Sequence, residues 1–141
     1  MTAIRTFLDT NVLVYAFDPA DPRKRAIAHA ITAGGGEERL IISTQVLVEL
    51  YSVLTRKLKP GLPAEEAEGA VADFAGVPTV PTDSALVRTA VALSRSAQLS
   101  IWDALIVAAA QAGRCTRLLS EDLAHGTTIG SVVIANPFRE V

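Results

Sequence analysis

The chain has 141 residues, half of them hydrophobic and 20% of them charged, which is enough apolar material for one core and excludes a disordered chain. Thirteen Lys and Arg against fifteen Asp and Glu give a formal net charge of −2, without the basic excess that is typical of nucleic-acid-binding domains. The single cysteine excludes an internal disulfide, and no apolar stretch reaches the ~18–20 residues of a membrane span. We therefore expect a soluble, cytoplasmic protein with a single domain over residues 1–141.

Short apolar runs and turn signals predict five strands that alternate with five helices. In chain order they are a strand at 4–8, a helix at 23–33, a strand at 40–42, helices at 45–57 and from 63 onwards, a strand at 77–80, helices from 82 to about 98 and at 101–112, and strands at 115–119 and 132–135. No helix is predicted between 9 and 22, where two Asp-Pro pairs are turn signals. Gly34-Gly35-Gly36 is predicted to be a surface loop.

The predicted strands are apolar along their whole length and do not alternate between apolar and polar residues. Both faces of such strands are buried, which favours an α/β fold with a parallel sheet of about five strands between two layers of helices. In sheets of this kind, ligands bind beyond the carboxyl ends of the strands. Residues directly after the strands are therefore the first candidates for a functional site.

Four acidic residues have apolar neighbours, which is unusual because an unpaired buried carboxylate is costly. They are Asp9, Glu49, Asp103 and Asp122. Each has a structural explanation when it is considered alone. Asp9 and Asp122 fit a turn and a loop, and Glu49 fits the solvent face of a helix. Asp103 stands three residues after Ser100, which fits a capping box.

The positions of the four acids in the predicted fold nevertheless bring them together. Asp9 and Asp122 follow strands, while Glu49 and Asp103 lie in the first two turns of helices that begin near the same sheet edge. Four carboxylates would repel one another strongly without a cation. Carboxylate oxygens suit Mg²⁺ or Mn²⁺, and the absence of His and Cys from the set makes zinc a poor fit.

The acidic total does not exclude a polyanionic substrate if these four acids serve one site. Without them, eleven acidic side chains face thirteen basic ones. The segments Arg23-Lys24-Arg25 and Arg56-Lys57-Leu58-Lys59 are then candidate phosphate contacts. Trp102 is predicted to be a core side chain, with base stacking as the alternative, and Glu121 is not assigned as a metal ligand.

Four segments around these acids resemble the PIN domain. They are LDTNVL at 8–13, TQVLVEL at 44–50, WDALI at 102–106 and LSEDL at 119–123. Together with the tail at 134–138, they look most like VapC, the toxin half of bacterial toxin–antitoxin pairs. The resemblance covers the chain from Asp9 to Phe138, and four motifs in the same order make it specific.

The resemblance implies a metal-dependent endoribonuclease that uses Mg²⁺ or Mn²⁺ and acts on tRNA or ribosomal RNA. On this basis Asp9, Glu49, Asp103 and Asp122 match the acidic quartet of the family, which binds the metal and carries out catalysis. Asn11 and Ser120 match its supporting polar residues. The resemblance also implies homodimerisation and neutralisation by a small VapB-type antitoxin, whose tail occupies the active-site groove.

Other functions compete for the same residues. A phosphatase of the haloacid dehalogenase type would need a second Asp two residues after Asp9, and Asn11 in that place cannot transfer a proton. Within the PIN fold, an RNA-processing nuclease without an antitoxin is the main alternative. A module that binds RNA without cleaving it is the non-enzymatic one, which the intact quartet disfavours.

Overall fold

Six strands and six helices make up the described part of the computed structural model, which comprises residues 4–34 and 37–140. In chain order they are β1 (Arg5–Leu8), α1 (Thr10–Tyr15), α2 (Pro22–Thr32), β2 (Arg39–Ser43), α3 (Thr44–Arg56), α4 (Ala64–Phe74), β3 (Thr79–Val80), α5 (Ser84–Ala97), α6 (Ile101–Ala112), β4 (Arg117–Leu119), β5 (Thr128–Ile129) and β6 (Val132–Ala135). In the predicted glycine loop, Gly35 and Gly36 lie outside the described residues.

The strands form one sheet in the order β3-β2-β1-β4-β6-β5. The first five strands of this order are parallel, which confirms the predicted parallel sheet. A sixth strand, β5, was not predicted, and it pairs antiparallel with β6 through a turn at Gly130, whose φ is +60°. A strand of two residues is too short to show a hydrophobic pattern, so only its pairing reveals it.

The connections of the sheet reverse direction between β1 and β4. From β1 the chain proceeds outwards to β2 and then β3, whereas from β4 it continues on the other side to β6. With right-handed crossovers, helices α1–α4 cover one face of the sheet, and α5 and α6 cover the other. The carboxyl ends of β1 and β4 therefore border the crevice in which open α/β sheets bind their ligands.

The core is built around α6, which packs against β2, β4 and β6 and is covered by α5. Every residue of α6 from 104 to 110 is buried, so this helix is apolar on all sides. Its N-terminus is capped by the Ser100 hydroxyl, which accepts a hydrogen bond from the Asp103 N–H at 3.1 Å, as the sequence predicts. Because α6 leads into the start of β4, its own N-terminus faces the carboxyl edge of the sheet.

One helix lies where only turns were predicted. Helix α1 begins directly after Asp9, whose carboxylate accepts a hydrogen bond from the Thr10 N–H. It has only six residues, and three of them are the β-branched Thr10, Val12 and Val14, so local propensity does not indicate a helix. Burial of Val12, Leu13 and Val14 in the core stabilises it instead.

Among the described residues, none of the helices combines the length and the apolar character that crossing a lipid bilayer requires. Cys115 is buried, and burial raises the pKa of its thiol to about 11, so it packs as a small neutral side chain.

Candidate active site

Two of the predicted acids stand at the carboxyl ends of neighbouring strands. Asp9 directly follows β1, and Asp122 lies three residues after the end of β4. The sheet pairing extends one residue beyond both strands, because the Asp9 N–H donates to the Leu119 carbonyl and the Ser120 N–H donates to the Ala135 carbonyl, each at 3.0 Å. The sheet itself therefore fixes the backbone on which this part of the site is built.

A hydrogen-bonded network joins these two acids. The Ser120 hydroxyl donates to Asp9 Oδ2 at 2.7 Å and accepts from the Asp122 N–H at 3.1 Å. The amide nitrogen of Asn11 lies 3.2 Å from Asp122 Oδ2, 3.3 Å from Ser120 Oγ and 3.5 Å from Asp9 Oδ2. Asn11 and Ser120, which the sequence singles out as supporting polar residues, thus connect Asp9 with Asp122.

Asp9 is the most buried of the four acids, with 6% of its surface exposed. The pKa of its carboxyl is raised from 3.8 to about 6, above all by burial and then by the charges of Glu49 and Asp122. Hydrogen bonds from Ser120 and from the Thr10 N–H lower this pKa in part. A bound cation would favour the ionised form of Asp9 and offset this cost.

A cavity of about 340 Å³ opens beside Asp9. Carboxylates dominate its lining: Asp9, Asp18, Glu49, Glu121 and Asp122. Lys57, one of the predicted phosphate contacts, also lines the cavity. The hydroxyl of Thr10, another lining residue, is buried and has no hydrogen-bond partner among the described residues. The cavity therefore offers several carboxylate oxygens as ligands to a bound cation.

Glu49 reaches this cavity from α3 and is held there by its own helix. The Gln45 amide nitrogen donates to Glu49 Oε1 at 2.6 Å and lies 3.3 Å from the backbone carbonyl of Trp102 in α6. Gln45 therefore connects the two helices that carry the remaining acids. Gln45 was not predicted as a site residue, although its position four residues before Glu49 places both on one helix face.

Asp103 lies near this connection but is not among the residues that line the cavity beside Asp9. It stands in the first turn of α6, directly after Trp102, and its N–H donates to Ser100 Oγ. Within 4–34 and 37–140, its carboxylate forms no hydrogen bond, so the reciprocal half of a capping box is not made. The structure thus brings Asp9, Glu49 and Asp122 together and leaves Asp103 outside their cavity.

The carboxylate oxygens that line the cavity are suitable ligands for a hard divalent cation. Carboxylate oxygens are the ligands that Mg²⁺ and Mn²⁺ prefer, and Mg²⁺ usually keeps several waters when it binds. In the part of the chain that the structure describes, no three acidic, His or Cys side chains converge closely enough to enclose an ion by themselves. A volume of about 340 Å³ holds several waters at ~30 Å³ each, so the residues fit an ion held partly through water.

Trp102 was predicted to be a core side chain, and this prediction is wrong. Trp102 is 67% exposed and lines a surface groove together with the exposed Val48 of α3. The buried stretch of α6 begins only at Ala104, so Trp102 lies on the first turn, before the helix enters the core. The burial of adjacent residues in the sequence does not determine which side of the first helical turn faces solvent.

A second cluster, which was not predicted from the sequence, borders the cavity. Tyr15 Oη donates to Glu121 Oε1 at 2.5 Å, and Lys24 forms an ion pair with the same carboxylate. Lys24 Nζ also lies 4.8 Å from the centre of the Tyr15 ring, and this ring packs edge-on against Phe138 at 4.8 Å. Lys24 was a candidate phosphate contact, but in this structure its ammonium group is engaged by Glu121.

Comparison with known proteins identifies the family from the sequence and the fold from solved structures. The family model described as the PIN domain matches residues 6–125. No curated protein matches the chain in sequence at a significant level.

Solved structures of toxin–antitoxin proteins share the fold. A VapBC complex of Rickettsia felis, bound to a promoter DNA fragment, superposes with a TM-score of 0.63 at 18% identity over 94% of this chain and 98% of that one. The sarcin–ricin-loop-cleaving VapC toxin of Mycobacterium tuberculosis superposes with a TM-score of 0.64 at 23% identity, over 80% of this chain and 86% of that one. A toxin–antitoxin complex of Klebsiella pneumoniae superposes with a TM-score of 0.64 at 18% identity, over 94% of this chain and 97% of that one. At these identities the similarity establishes the fold.

Proposed function

The chain belongs to the PIN-domain family, and from this premise we propose that it is a divalent-metal-dependent endoribonuclease and the toxin of a VapBC-type toxin–antitoxin pair. The observation that carries the proposal is the buried carboxylate of Asp9, which shares one cavity with Glu49 and Asp122 at the point where the sheet connections reverse. Such a concentration of negative charge has no function in packing, whereas a metal-dependent nuclease needs it.

The roles of the acids follow from their positions. Asp9, Asp122 and Glu49 would hold Mg²⁺ or Mn²⁺, and Asp103 would complete the set from α6. When bound, such an ion lowers the pKa of a water and offsets charge on the scissile phosphate. Glu49 or Asp122 would accept the proton of the attacking water. In-line attack then leaves a 5′-phosphate and a 3′-hydroxyl.

RNA is the proposed substrate, with tRNA or ribosomal RNA as the class. Lys57 supports this because it places a cation at the rim of an otherwise acidic cavity, where a backbone phosphate would be positioned. One of the similar structures is a toxin that cleaves the sarcin–ricin loop, which makes that loop a first substrate to test. Cleavage in the cytoplasm would stop translation and growth.

The proposed partner is a small VapB-type antitoxin. Support comes from the similar structures, which include toxin–antitoxin complexes, and from the charge of the site. A cavity lined by five carboxylates is complementary to a basic peptide segment, which would compete with RNA and with the metal. The chain is also expected to form a homodimer, for which the exposed apolar side chains of Val48, Tyr51 and Trp102 are candidate contacts.

Two alternatives stay within the same fold. An RNA-processing nuclease would use the same acids without an antitoxin, and the presence of a small antitoxin gene beside the toxin gene would distinguish the two. A module that binds RNA without cleaving it would not need four acids around one edge of the sheet. The buried and destabilising position of Asp9 favours the enzyme over this module.

The test is cleavage of a mixture of total tRNA and ribosomal RNA by the purified protein, with Mg²⁺, with Mn²⁺ and with EDTA. We expect discrete fragments that form only in the presence of the metal. The rate of cleavage should fall by about 10³-fold or more in Asp9→Asn, because the variant removes the charge of the central ligand and keeps its volume. Cleavage by Asp9→Asn at the wild-type rate would overturn the assignment. RNA binding without cleavage by the folded wild-type protein would favour the binding module.

A further inference from the structure

The loop that carries Asp122 is held from two sides. On one side the Glu121 N–H donates to Asn11 Oδ1 at 3.1 Å, and the Asn11 amide nitrogen lies 3.2 Å from Asp122 Oδ2. On the other side the Glu121 carboxylate accepts from Tyr15 Oη at 2.5 Å and pairs with Lys24. The backbone and the side chain of Glu121 are thus anchored separately, one residue before Asp122.

The second anchor joins three distant parts of the chain. Tyr15 lies at the end of α1, Lys24 in the first turn of α2, and Phe138 in the C-terminal tail. Lys24 Nζ lies 3.3 Å from Tyr15 Oη, 4.8 Å from the centre of the Tyr15 ring and 5.8 Å from that of Phe138. Packing against two aromatic rings restricts the ammonium group, so the ion pair is better ordered than an isolated surface pair.

Glu121 also differs in charge from the other acids of the cavity, because Lys24 compensates its negative charge. Glu121 is one of five carboxylates that line the cavity, and among the described residues the Lys24 pair is the ion pair formed at that cavity. The side chains of Lys24 and Glu121 are 25% and 26% exposed, so solvent screens the pair only in part. Without Lys24, Glu121 would carry an uncompensated charge next to Asp122, and its carboxylate would be held by the Tyr15 hydroxyl alone.

We propose that Lys24 and Tyr15 are positioning residues, which hold Glu121 away from the metal and thereby keep Asp122 in the position in which it binds the metal. The inference rests on the proposed function, because it assigns to α1 and α2 a part in assembling the proposed metal site. Neither Lys24 nor Tyr15 contacts the metal or the reacting phosphate in this scheme. Their effect passes entirely through Glu121.

Binding of Mn²⁺ to the RNA-free protein, measured by electron paramagnetic resonance of the free ion, tests the proposal directly. Lys24→Met should weaken Mn²⁺ binding by about tenfold, as expected when a residue that orients a metal ligand is removed. Lys24→Arg should restore most of the affinity, because Arg can pair with Glu121. In the Glu121→Gln background, Lys24→Met should have no further effect. The charge-matched control is Arg88→Met, an exposed residue of α5, which should bind Mn²⁺ as the wild type does.

A metal-independent readout separates this inference from the proposed function. Hydrogen exchange of the Glu121 and Asp122 amides in the metal-free protein should become faster in Lys24→Met, by about tenfold, and stay unchanged in Arg88→Met. If the wild type binds no Mn²⁺, the proposed function fails, while the exchange rates still decide whether Lys24 orders the loop.

Two results would overturn the inference. In the first, Lys24→Met lowers the melting temperature but changes neither Mn²⁺ affinity nor the two exchange rates, which would make the cluster a packing feature. In the second, Lys24→Met only raises the KM for RNA and weakens the salt dependence of RNA binding, which would make Lys24 a phosphate contact.

Discussion

The two halves of the candidate site are built in different ways. The strand half consists of Asp9, Asn11, Ser120 and Asp122, which follow β1 and β4 and are joined by hydrogen bonds of 2.7–3.5 Å. The helix half consists of Gln45, Glu49, Trp102 and Asp103, in which one amide connects α3 to α6. Backbone pairing determines the first half, whereas the second depends on how two helices pack.

This difference indicates which half is preorganised. In the strand half, two adjacent strands place the ligands, and burial imposes a cost on Asp9 that a cation would remove. In the helix half, Asp103 lies outside the cavity and its carboxylate is free to move. We therefore expect bound metal or substrate to complete this half by ordering the Asp103 carboxylate.

The largest expected effect concerns the strand half and the charge of Asp9. Burial raises the pKa of this carboxyl to about 6 in the folded protein. The contribution of Asp9 to the free energy of unfolding is therefore fully present below pH 4 and is lost as the pH rises through 6. At pH 7.5 the ionised form should then destabilise the metal-free protein by about 2–3 kcal/mol, or roughly a hundredfold in the folding equilibrium. Asp9→Asn should be the more stable protein at pH 7.5, with the difference shrinking towards pH 4.

Urea denaturation in EDTA between pH 4 and pH 7.5 measures this difference. A stability difference between wild type and Asp9→Asn that does not change with pH would show that Asp9 is not under electrostatic strain. Adding Mg²⁺ at pH 7.5 should stabilise the wild type more than the variant, which serves as the internal control.

The next effect concerns Asp103 and tests whether the helix half takes part at all. Asp103→Asn should lower metal-dependent RNA cleavage by about 10–100-fold and leave the melting temperature unchanged, because its carboxylate holds no hydrogen bond in the described structure. Asp73→Asn, an exposed acid of α4, is the matched control. A lower melting temperature with normal cleavage would instead assign Asp103 to helix capping.

The smallest effect concerns Gln45, the connection inside the helix half. Gln45→Leu removes the hydrogen bonds to Glu49 and to the Trp102 carbonyl. We expect cleavage to fall by about tenfold, mainly because the metal binds more weakly and cleavage then requires a higher metal concentration. Metal titrations of cleavage, with Ser52→Ala on the same helix as the control, measure this. An unchanged metal dependence would mean that Glu49 is placed by α3 alone.

Much of the fold could be predicted because its signals are local. The Ser100 cap, the apolar run of α6 and the span of β6 follow from residues within a few positions of one another, and the structure confirms them. Helix α1 and strand β5 could not be predicted. The first depends on burial of three side chains and the second on pairing with β6, and neither leaves a local pattern.

By itself, the sequence determined the candidate acids and the order in which strands and helices present them, because unusual residues in apolar segments are visible without a fold. Tertiary structure decided which of these acids share a cavity, that Trp102 is exposed, and that Lys24 is engaged by Glu121. The physical reason is distance along the chain. The bonds from Ser120 to Asp9 and from Lys24 to Glu121 span 111 and 97 residues, so they form only when β1, α2 and β4 meet.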